Sequence, residues 1–112
     1  MMTTGRIISQ YIERRMKKND FAIDPQFPLG NVVVTGNVVA ALKGKTKVLE
    51  WMLARHQSGD WGNASDDDKL SNDATVRGNV LRSAYRTDEG MEFWVITDAD
   101  RKFTTVMLPK EY

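Results

Sequence analysis

The chain holds no cysteine and a single histidine in 112 residues. Disulfide frameworks, cysteine nucleophiles and iron–sulfur clusters are excluded, as are zinc sites built from cysteines or several histidines. No apolar run approaches the roughly 18–20 residues of a membrane span. A signal-peptide core is missing too, because Arg6, Glu13, Arg14 and Arg15 interrupt the N-terminus. The glycines make no phosphate loop: GNVVVTG at 30–36 has no Gly-Lys-Ser/Thr after it, and Gly-x-Gly-x-x-Gly does not occur. These absences lead us to expect a cytoplasmic chain with no cofactor, no metal and no membrane association. Its length fits one domain over 1–112.

A large excess of either charge is also lacking, since 16 Lys+Arg stand against 15 Asp+Glu for a net +1. That near-balance hides a division. Residues 1–56 hold nine basic and four acidic side chains, and residues 57–112 hold seven and eleven. The halves are therefore +5 and −4. Such polarity suits a partner steered by charge, or two halves that neutralise each other within one fold.

Residues 5–18 read as an amphipathic helix with Ile8, Tyr11, Ile12 and Met16 on one stripe. Arg14, Arg15, Lys17 and Lys18 make it basic, so 1–20 is a candidate docking arm or a packed first helix. Pro25 and Pro28 keep 21–29 extended or turning. The β-branched run at 32–35 predicts a short strand. Asn37 would cap a helix to Leu42 with Gly44 as its stop, although Val38 and Val39 suit a second strand equally well. Thr46 is expected to cap a helix from Lys47 to about Gln57 with Leu49, Met52, Leu53 and His56 inward. Ser65 before Asp66, Asp67 and Asp68 predicts another helix start, with an end near Arg77 and Gly78. Three strand-like runs follow, around 80–85, 91–97 and 103–108, separated by two turn signals. The expected fold is α+β: N-terminal helices on a C-terminal antiparallel β-meander of three strands, with a short strand near 31–35 as a candidate addition.

Few residues can carry chemistry. His56 alone has an ordinary pKa near neutrality. As a general base it would serve a metal-independent endoribonuclease, with Arg82, Arg86 or Arg101 holding phosphate and Glu92 as a second acid–base group. The plainer reading places His56 in the core, on the face of Leu49, Met52 and Leu53. Asp60 and Trp61 sit in GDWG at 59–62, where the indole either meets a partner or anchors the loop. Asp66–Asp68 point in different directions from a helix start, which suits capping rather than a metal. Asp98 and Asp100 belong to a polar turn, where nothing would raise a carboxylate pKa.

The blocks LARHQSGDWG at 53–62, SAY at 83–85, FWVITDADR at 93–101 and TTVMLPKEY at 104–112 resemble a family of small bacterial proteins. Their genes tend to lie on plasmids, integrative elements and prophages, often under the label plasmid-related protein. The resemblance covers roughly residues 28–112 and leaves out the helix at 5–18. It implies a mobile-element context and brings no catalytic residues. Some members carry a restriction-system label, but no methyltransferase motif occurs in this chain. The leading expectation is a non-enzymatic interaction module with a protein partner, modulating or inhibiting a host defence complex. The alternatives are the toxin-like ribonuclease and a nucleic-acid-binding accessory protein using the basic helix.

Overall fold

The computed structural model describes residues 20–74 and 78–112. The expected helix at 5–18, with Arg14, Arg15, Lys17 and Lys18, lies outside the described residues, as does the expected helix end at Arg77. The described elements run β1 (Asn31–Val34), α1 (Gly36–Leu42), α2 (Thr46–Gln57), α3 (Asp66–Ala74), β2 (Leu81–Arg86), β3 (Glu92–Thr97) and β4 (Phe103–Met107), with a 3₁₀ turn at Pro109–Glu111. This is the expected α+β architecture. No helix among the described residues is long and apolar enough to cross a membrane.

The meander forms as its turns predict, with β2–β3 and β3–β4 antiparallel. The fourth strand joins beyond β4, so the order is β1-β4-β3-β2 and β1 runs parallel to β4. Register pairs share a face. Leu81, Ser83, Tyr85, Phe93, Val95, Thr97, Thr104, Val106, Val32 and Val34 therefore turn to one side, and all are buried. Leu49, Met52 and Leu53 of α2 and Val38 and Leu42 of α1 close the core over that face.

Two caps differ from expectation. Thr35, not Asn37, caps α1: its hydroxyl accepts from the Val38 N–H at 3.3 Å. The chain leaves the strand with Thr35 still extended, and an extended residue whose oxygen reaches forward is what a cap requires. Asn37 lies inside the helix and donates instead to Glu111 Oε2 at 3.0 Å. Residues 38 and 39 are thus helical, and Lys43 ends α1 at φ 52°, just before Gly44. For α2, Thr46 is the first helical residue and Lys45 holds the cap position without a side-chain bond. Ser65 caps α3 as expected, accepting from the Asp68 N–H at 3.0 Å.

The outer edge of β2 is plugged. The buried Asn72 side chain donates to the Arg82 carbonyl and accepts its N–H, at 2.7 and 3.2 Å. Trp61 O and the Asn63 N–H serve Ala84 in the same way. A loop and one amide thus stand where a further strand would pair.

Candidate functional site

His56 and Arg55 are consecutive on α2, in its last turn. A helix advances about 100° per residue, so one points into the core and the other outward. His56 is fully enclosed. Its Nδ1 lies 2.6 Å from Ser83 Oγ and its Nε2 2.8 Å from Thr97 Oγ1. The proton arrangement follows from the far end. Thr104 donates its one hydroxyl proton to the Leu29 carbonyl at 2.7 Å, so it accepts from Thr97 at 2.7 Å. Thr97 therefore accepts from His56 Nε2–H, and Nδ1 accepts from Ser83. The imidazole is neutral and held as one tautomer. Burial, with Arg101 nearby adding to it, pushes its pKa down to about 3.

Phe27 and Trp61 wall this imidazole. Phe27 meets it edge-on at 5.2 Å, and Trp61 does so at 5.7 Å. Phe27 and Trp61 stack at 6.2 Å, and the Trp61 indole N–H donates to Asp73 at 2.7 Å. Trp61 is thereby a loop anchor inside the core rather than an exposed ring. Gly62 makes the turn possible at φ 64°, where a Cβ would overlap the Ala84 carbonyl and the Tyr85 ring.

The other ribonuclease candidates do not gather around His56. Arg82 and Arg86 alternate with Ser83 along β2, so the sheet separates them from the imidazole. Arg82 donates to the Tyr112 hydroxyl at 3.0 and 3.2 Å, beside a groove of about 280 Å³ that Trp94 and Ile96 also line. Arg86 pairs with Glu92 at 3.1 Å. Arg101 alone approaches from the other side. Its guanidinium lies 5.7 Å from the Phe27 ring centre and donates to the Asn79 and Asp98 carbonyls at 2.6 and 2.9 Å. Arg101 thus staples the β3–β4 turn to the segment that leads into β2. No group of three or more His, Cys, Asp or Glu suited to a metal occurs among the described residues.

Gln57 is one residue that sequence reasoning missed. Its buried amide accepts from the Phe21 and Ala22 N–H groups and donates to Asp20 and the Phe27 carbonyl. One side chain thus fastens the bent segment before β1. Its only sequence signal is a polar residue beside a core histidine, which is too common to single it out.

At the edge of the core stands a second ordered cluster. Arg55 donates from Nε and Nη2 to the two Asp60 oxygens, at 2.7 and 3.0 Å. Its guanidinium lies 4.9 Å from the Trp51 ring centre and 4.7 Å from that of Tyr85. The Tyr85 hydroxyl donates to the Asp60 carbonyl at 2.6 Å. Asp60 is held below the ordinary carboxylate range, first by the Arg55 bond and further by the Gly62 N–H. Trp51 remains 43% exposed. No family model matches the chain, and no similar protein was found among curated proteins or solved structures.

Proposed function

We propose that the chain is a non-enzymatic interaction module of a mobile genetic element, acting on a protein complex of host defence. One contrast carries the reading. The single imidazole is spent on an internal hydrogen-bond chain, while ordered aromatic and charged side chains stand at the surface of α2. Trp, Tyr and Arg are the types that most often anchor protein interfaces. The division into +5 and −4 halves supplies a means of steering, and the resemblance of residues 28–112 supports the mobile-element context.

Affinity capture from a host lysate at low salt tests this. A stoichiometric protein partner is expected. Its absence overturns the reading, and so does RNA cleavage by the purified chain that His56→Ala abolishes.

A further inference from the structure

We infer that the outer face of α2 docks an acidic protein segment, an assignment that rests on the interaction-module reading. Lys47, Trp51 and Arg55 recur every four residues and so form one stripe along the helix. Lys47 is exposed, so the stripe begins with a positive charge, and Lys43 is exposed four residues earlier at the end of α1. Trp51 lies at its middle, open to solvent yet held by Arg55 and by the Tyr85 ring at 6.0 Å. An aromatic ordered before binding loses little conformational freedom on contact.

The chemistry of the stripe selects its occupant. The bonds to Asp60 use two of the five guanidinium N–H groups of Arg55. A second carboxylate can be received by those that remain, and another by Lys47. Between them an apolar side chain would cover the part of Trp51 that Arg55 and Tyr85 leave in solvent. A nucleic acid fits less well, because Arg55 already lies over the indole where a base would stack. The surface therefore suits acidic residues on either side of one apolar anchor.

A peptide library displayed on phage, selected on the wild-type chain and counter-selected on Lys47→Glu, tests the assignment. Enriched sequences should carry Asp or Glu flanking an apolar residue. A synthetic peptide of that consensus should bind Lys47→Glu and Trp51→Ala at least about tenfold more weakly than wild type. Added salt should weaken it, and Trp94→Ala on the other face of the sheet should leave it unchanged. Lys47 is exposed, so its variant keeps the fold, and circular dichroism checks Trp51→Ala. Basic or uncharged consensus sequences, no enrichment, equal binding by Lys47→Glu, or tighter binding of oligothymidylate would each overturn the assignment. If both variants still capture the lysate partner, the interaction module stands and this surface falls.

Discussion

Arg55 and His56 follow each other on α2 and end in opposite surroundings. His56 is closed off from water, uncharged, and tied through Ser83, Thr97 and Thr104 to three strands and the Leu29 carbonyl. Arg55 is charged and partly wet, and its fork closes a loop only five residues away. The inner site is a set of polar atoms with no alternative partners, so each loss leaves another group stranded. The outer site has water to replace whatever is removed. Stability should therefore reside with His56 and recognition with Arg55.

The largest effect is expected at the inner site. His56→Ala leaves a cavity and strands the Ser83 and Thr97 hydroxyls, at a cost of about 3–5 kcal/mol in urea unfolding. A loss below about 1 kcal/mol would break the contrast, since that is the scale of an exposed pair. Gly62→Ala should come next, at about 2–4 kcal/mol, because its Cβ has no room and its φ is positive. A smaller loss there would mean that the GDWG loop shifts easily, and that Trp61 fixes it less firmly than its burial implies.

Much of this fold was legible in local pattern, and the rest depended on pairing over distance. Two turn signals placed β2, β3 and β4, and Ser65 marked the start of α3. The parallel seat of β1 at the β4 edge follows from no local signal, because the alternation of Val32 and Val34 names neither a neighbour nor a direction. Thr35 and Asn37 are both good caps, and only the strand exit decides between them. Alternation along β2 could show that Ser83 and Arg82 face apart. It could not show which of them α2 would cover, and that choice separates His56 from the arginines. The outer cluster is half visible in the sequence: Asp60 stands out in the GDWG loop, while nothing local sets Trp51 or Arg55 apart from other residues of a solvated helix face.

Acid should act on the inner site before the outer one. His56 has a folded pKa of about 3 against its ordinary 6.5. Between those values the unfolded chain binds more protons than the native one. Stability is then at its full value above about pH 6.5 and falls as pH drops toward 3, by up to about 1.4 kcal/mol per unit. Asp60, held below its ordinary range by Arg55, keeps its pair intact through most of that fall. Chemical denaturation between pH 6.5 and 5 should show the slope in wild type and a flatter line in His56→Gln. Equal slopes would place the lost protons elsewhere.

The smallest effect should be at Arg55. Arg55→Ala removes a partly exposed ion pair and two cation–π contacts, worth about 1 kcal/mol together, with the loss shrinking as salt rises. Arg55→Lys sharpens the test, because it keeps the charge and gives up the planar fork that joins Asp60 to the Trp51 and Tyr85 rings. If orientation is what the cluster supplies, the lysine variant should unfold within about 0.5 kcal/mol of the alanine variant. Its Trp51 ring should also lose its fixed pose, which the dispersion of the indole proton resonances reports. A lysine variant as stable as wild type would show that charge alone holds the loop. The outer site would then be an ordinary solvated pair, and the contrast with His56 would be one of burial without any division of roles.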